Sequence, residues 1–378
     1  MKGAGLAVVA VLLLGLAFSL EREVSRGTFD PVERAFVSWL SANAGAQSKL
    51  PPLTLVLYDE EASELAGTGR MAMLDGALFA RAASRLGAMG AGIEGLSGDP
   101  TRMIEAAGGM PVFGGFDLSS PPGNGWTPLR GAPGGGWDEV PGLAGRPGRF
   151  ARGFLAPPTG GAGAREILLA GQNGDRAVPS FLALAWAVAN GWRWSELSAE
   201  PPALEGPDGR MILDTAGSVR FLPSGAPPTM TMNELLVAAE KFEREGGSSP
   251  LRGHVMVLAP ATSDVTRVAA EGMGAVTPAE QWAQAWEAVR TNRLFLLPGW
   301  WYPLFLALGG TVLALGPARR STGAAALAGV FALLVFALLA LGVFGSARVV
   351  LPFVPASLTL IGGLFLGRLG HAGGWFGK

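Results

Sequence analysis

Four acidic side chains sit where an α/β chain would carry out binding chemistry. Asp59 and Glu60 directly follow the apolar run LTLVLY (53–58), Glu94 lies near the end of GAGIEGL (90–96), and Asp264 lies just past HVMVLA (254–259). In open α/β sheets, ligands bind in the crevice outside the carboxyl ends of the strands. If the first and last of these strands are neighbours, Asp59, Glu60 and Asp264 converge there, and their oxygens could hold a cation or a basic ligand. The competing reading is structural. Asp59 and Asp264 each precede a helix and would act as N-caps, and Glu94 carries the same ambiguity with weaker placement.

Other reactive groups are scarce. The chain has no cysteine and two histidines, His254 and His371. That excludes disulfides, thiolate zinc sites, cysteine nucleophiles and a lipoprotein anchor, and it leaves too few ligands for a His-rich metal site. GMGAVTP lacks the Lys-Ser/Thr of a phosphate-binding loop, and no GxSxG, HExxH or kinase set occurs. His254 opens a buried strand with no nucleophile beside it in sequence and reads as a packed residue. Trp192 and Trp194 flank Arg193 and either stack a ligand or close the end of a helix. No enzyme activity, metal or cofactor is expected.

The elements that must position these groups read as an α/β layer fold. LTLVLY, GAGIEGL and PVFGGF (111–116) are short buried strands, separated by helices at 71–88 and 99–108. Strand–helix–strand order with short connections implies a mainly parallel sheet with flanking helices. Residues 117–163 are dense in Gly and Pro and read as one long loop, functional or poorly ordered, with Trp126 and Trp137 as landmarks. EILLA (166–170) is a strand, a helix runs from Pro179 to Ala189, and 203–222 form a small hairpin of ALE, MIL and VRF. Helices at 231–243 and 278–291 bracket HVMVLA. Upstream, Asp30-Pro31-Val32-Glu33 opens a helix whose Val32, Phe36, Trp39 and Leu40 share a face.

The ends of the chain are membrane-like. Runs 298–316, 323–344 and 349–367 contain no Asp or Glu, and about 20 apolar residues suffice to cross a bilayer as a helix. Trp300, Trp301 and Tyr302 mark the headgroup boundary. Residues 4–20 form a further run, read as a signal anchor or as a signal peptide cut after Ala17-Phe18-Ser19. Four spans are thus expected, one N-terminal and three C-terminal. Arg319 and Arg320 place their loop and the C-terminus in the cytoplasm. Gly363/Gly367 and Ala325/Gly329 are small-xxx-small steps that either bring helices close or reflect the abundance of Gly and Ala. With all 30 acidic residues but 23 of the 29 Lys/Arg, segment 21–297 is acidic at −7 and its flanks are basic. No basic surface calls for nucleic acid.

Taken in order, these segments resemble bacterial sensors carrying the second type of CHASE domain (cyclase/histidine-kinase-associated sensory extracellular). LTLVLYDEEASELAG, RLGAMGAGIEGL, AVPSFLALAWAVANG and LRGHVMVLAPATSD each resemble a family segment, and the last helix leads into a Trp-Trp membrane boundary. The chain departs from the family pattern at Arg70, which alone remains of a Trp-Pro-Trp-Arg step, at Pro278 in place of a histidine, and at Glu94 in place of Asp. The resemblance implies a sensor. Here about eleven residues follow the last span, with no cytoplasmic output domain.

The expected organisation is a membrane anchor at 1–20, an extracytoplasmic CHASE-like α/β domain at 21–297, three spans at 298–367 and a cytoplasmic tail at 368–378. The expected function is an inner-membrane sensor with a periplasmic domain, signalling through its helices to a separate partner. The alternative is a membrane-anchored scaffold that presents an acidic domain to envelope proteins. Expected partners are the lipid bilayer, a cytoplasmic or membrane signalling protein, a small extracytoplasmic ligand and a second copy of the chain.

Overall fold

The computed structural model describes residues 2–25, 30–43, 50–58, 73–95, 100–118, 125–142, 150–156, 165–221, 228–260, 278–291, 293–316 and 321–373. The helices are α1 (Lys2–Ser25), α2 (Asp30–Asn43), α3 (Met73–Arg85), α4 (Thr101–Ala106), α5 (Phe181–Ala189), α6 (Met232–Glu245), α7 (Pro278–Arg290), α8 (Trp301–Leu315), α9 (Thr322–Ala347) and α10 (Phe353–Ala372). The strands of the largest sheet are β1 (Leu53–Tyr58), β2 (Gly90–Glu94), β3 (Val112–Asp117), β4 (Ala151–Leu155), β5 (Thr229–Thr231) and β6 (Val255–Pro260). The chain divides into two compact units, an α/β unit and a helical unit built from the two ends of the chain.

In the α/β unit the six strands run in the order β5-β1-β6-β2-β3-β4, and every pairing is parallel. Parallel strands covered on both faces need apolar residues at successive positions, and LTLVLY and VMVLA supply them. One face packs Val56, Ile93 and Leu258 against Phe79 and Ala83 of α3, Met103 of α4 and Leu235 of α6. The other face is floored with glycine. A Cβ at Gly92 or Gly115 would lie 2.7 or 2.8 Å from the Phe181 ring. That floor lets α5 sit unusually low on the sheet, with Phe181 fully enclosed against Phe113 at a 5.0 Å centroid separation. Burial of such a ring contributes about 1.5–3 kcal/mol. Trp282 of α7 meets Phe181 edge-on at 5.3 Å on this same face.

Two expectations about this unit change. The stretch read as a single loop, 117–163, contains β4, which extends the sheet beside β3. ARGFL has little strand character, and its register is set by long-range packing: a Cβ on Gly153 would stand 2.7 Å from the Phe181 backbone. Trp126 in the same stretch is fully buried, meets Phe116 and Phe154 edge-on, and donates its indole N–H to Pro141 O at 2.8 Å. In the expected hairpin, Ala203–Gly206 does pair with Gly209–Ile212. The VRF segment leaves it to pair antiparallel with Arg165–Leu168.

In the helical unit, α1, α9 and α10 are long and apolar enough to cross a membrane. α8, the fourth expected span, has 15 residues and so spans about 22 Å at 1.5 Å per residue, short of a hydrocarbon core of about 30 Å. Pro298-Gly299 precedes it and Gly316 ends it, so the apolar run is longer than the helix. Val9, Leu13 and Ala17 of α1 form a buried stripe, and Val9 and Leu13 pack with Ala307 and Ala314 of α8. The step at Gly363 is a true close approach, because a Cβ there would lie 2.2 Å from Gly310 O. At the second step Ala325 is buried, and a Cβ on Gly329 would meet Leu364 at 2.9 Å. Most of α9 faces outward, with Leu327, Phe331 and Leu338 each about two-thirds or more exposed.

The α2 helix is rotated relative to its expected face. Val32 and Trp39 are exposed, and Glu33, Val37 and Leu40 are buried. The reason is Glu33, whose carboxylate accepts hydrogen bonds from the backbone N–H groups of Phe353 (2.9 Å) and Val354 (2.7 Å). These are orphan donors of the first turn of α10, and Pro355 beside them has none to offer. Phe36 lies tilted against Phe353 at 5.1 Å and stacks with Phe336 at 6.3 Å, extending the contact to α9.

Candidate functional site

β1 and β6 are direct neighbours, in register from Leu53↔Val255 to Tyr58↔Pro260, and β2 follows with Leu258↔Ile93. Chain continuity carries β1 into Asp59-Glu60 and β6 toward Asp264. Asp59, Glu60 and Asp264 themselves lie outside the described residues. The next described helix after β1, α3, packs on one face of the sheet, whereas the next described helix after β6, α7, packs on the opposite face with Phe181. Parallel neighbours whose next described helices lie on opposite faces are the arrangement of a topological switch point, where open α/β sheets form ligand crevices.

Glu94 is described, and its position is specific. It ends β2 on the Phe181 face, where Trp282 donates its indole N–H to Oε2 at 3.4 Å. The side chain is therefore tied to α7. Asp75, outside the four strand-end acids, is a buried carboxylate in the first turn of α3. It accepts the Tyr58 hydroxyl at 3.2 Å, beside the last residue of β1. The signal available in sequence was a Tyr ending a strand and an Asp opening the next helix. Their contact depends on where that helix lands.

His254 and Trp192 take packing roles. His254 pairs its Nδ1 with Thr54 Oγ1 at 2.8 Å, and burial pushes the imidazole below its ordinary value. His254 is thus packed against the neighbouring strand, as its sequence setting implied. Trp192 closes the end of α5, one of the two roles open to it. It meets Trp186 edge-on at 4.9 Å and donates to Asp208 Oδ1 at 2.6 Å. It also lies over Gly206 and Gly209, where a Cβ would stand 2.1 and 2.6 Å from the ring. Among the described residues, no group of three or more His, Cys, Asp or Glu is placed to hold a metal.

Fold and composition define the class: an α/β domain in a chain with helices able to cross a membrane, hence a membrane protein. No protein-family model, curated protein or solved structure matches the chain.

Proposed function

We propose that this protein is a multi-pass inner-membrane sensor of CHASE-like type, whose periplasmic α/β domain binds a small ligand and signals through the membrane helices to a separate partner. The observation that carries the reading is the switch point between β1 and β6, whose following segments bring Asp59, Glu60 and Asp264. Carboxylates that follow β1 and β6 in sequence, with Glu94 ending the next strand but one from β1, suit a cation or a basic ligand. The role is read as non-catalytic on the motif content of the sequence. The buried stripe Val9/Leu13/Ala17 supports retention of α1 as an anchor, since cleavage after Ser19 would remove a packed helix. The positive loop at Arg319/Arg320 supports a cytoplasmic C-terminus, which requires that the whole apolar run 298–316, longer than its 15-residue helix, cross the membrane as the fourth span.

Reporter fusions test the topology. Those at Lys378 and after Arg320 should be active only in the cytoplasm, and one after Asp208 only outside. Cytoplasmic activity at 208 overturns the reading. Purification in mild detergent, with mass spectrometry of co-isolated proteins, then tests the role. A recurrent cytoplasmic-side or membrane signalling protein supports the sensor, whereas envelope proteins alone, bound through residues 21–297, replace it with the scaffold.

A further inference from the structure

We propose that a groove at the amino-terminal edge of the sheet, away from the strand-end acids, binds a small dipolar molecule: one with a carboxylate and an ammonium on an apolar body, such as a short peptide with free termini. The groove encloses about 830 Å³ between the turn that follows α5 and the segment leading from α4 into β3. Small-molecule sites fall in the range of roughly 300–1,000 Å³.

The charged residues that line it are Arg193 and Glu105. Both residues are exposed, and neither forms an ion pair with the other or with any other described residue. Opposite charges that line one groove without pairing each remain open to a ligand group of the opposite sign. A guanidinium takes a carboxylate through two parallel N–H bonds, and a carboxylate accepts from an ammonium. Ile104, Met110 and half-buried Trp194 supply the apolar lining. A neutral sugar would use neither charge, and a simple anion would meet Glu105 as well as Arg193.

The walls are set in advance. Trp192 is locked by Asp208 and Trp186, and the Arg193 backbone N–H is held by Glu196 Oε2 at 2.7 Å. On the other side, the backbone entering β3 is fixed by Ala91 N–H donating to Pro111 O at 2.9 Å. A groove that need not order itself on binding keeps more of the interaction as affinity.

The test uses the full chain in detergent micelles and titration calorimetry with the dipeptide Leu-Leu, its N-acetylated form, its C-terminal amide and the neutral disaccharide cellobiose. Wild type should bind Leu-Leu saturably, with Arg193→Met and Glu105→Gln each weakening it about tenfold or more. Glu105→Gln should leave binding of the N-acetyl form unchanged, and Arg193→Met that of the amide, because the group each would meet is already gone. Both positions are exposed, so the variants should keep the wild-type circular dichroism. The proposal is overturned by no saturation up to about 10 mM, by capped and free dipeptides binding alike, by both variants binding like wild type, or by tighter binding of cellobiose. Binding is read on the chain itself, so these outcomes are separate from those of the topology and partner experiments.

Discussion

Removing the Glu33 carboxylate should loosen the start of α10. In the native chain it accepts two backbone N–H bonds, at 2.9 and 2.7 Å, from Phe353 and Val354, and Glu33 is 9% exposed. A hydrogen bond to a charged group contributes about 1.5–3 kcal/mol, and a buried donor left unpaired forfeits its desolvation as well. The negative charge at a helix N-terminus adds about 0.3–1 kcal/mol. Glu33→Ala should therefore cost local stability of about 3–5 kcal/mol. Glu33→Gln keeps one acceptor oxygen but turns an NH₂ toward a donor and loses the charge, so about half that cost is expected. Amide hydrogen exchange in nanodiscs reads the effect directly at Phe353 and Val354, where a loss of about 3 kcal/mol speeds exchange roughly a hundredfold. The order should be Ala fastest, then Gln, then wild type, with amides in the middle of α10 barely changed. Equal exchange in Glu33→Ala and wild type would refute the argument that this carboxylate satisfies the helix end.

Two further outcomes follow from packing and burial. Gly363→Ala should destabilise the helical unit by about 1–3 kcal/mol through overpacking, because its Cβ would lie 2.2 Å from Gly310 O. Gly342→Ala, with nothing within 4 Å of its Cβ, should leave resistance to SDS unfolding unchanged or slightly raised; equal effects of the two would contradict the close crossing. Burial holds the folded-state pKa of His254 below the ordinary imidazole value, so the unfolded chain takes up more protons as pH falls below about 6.5. Stability of the α/β unit should be level above that pH and decline below it, and His254→Asn should flatten this component in pH-dependent thermal melts.

The sequence by itself determined what depends on local pattern. Continuous apolar runs marked β1 and β6 as buried parallel strands, and acid-free stretches of membrane length marked α9 and α10. The missing cysteines and catalytic motifs also bounded the chemistry without any coordinates. Tertiary structure decided what depends on neighbours distant in sequence. The pairing of β1 with β6 joins segments about two hundred residues apart, the strands that Asp59 and Asp264 follow in sequence. No periodicity reveals β4, because ARGFL becomes a strand only when β3 pairs with it and Phe181 settles over its glycine. Glu33 read as part of its own helix start, since its actual partners, the Phe353 and Val354 amides, lie at the other end of the chain. Local composition can state that a side chain needs a partner or a face needs cover. Which partner arrives is settled by the sum of packing over the whole chain, and that sum is not written in any one segment.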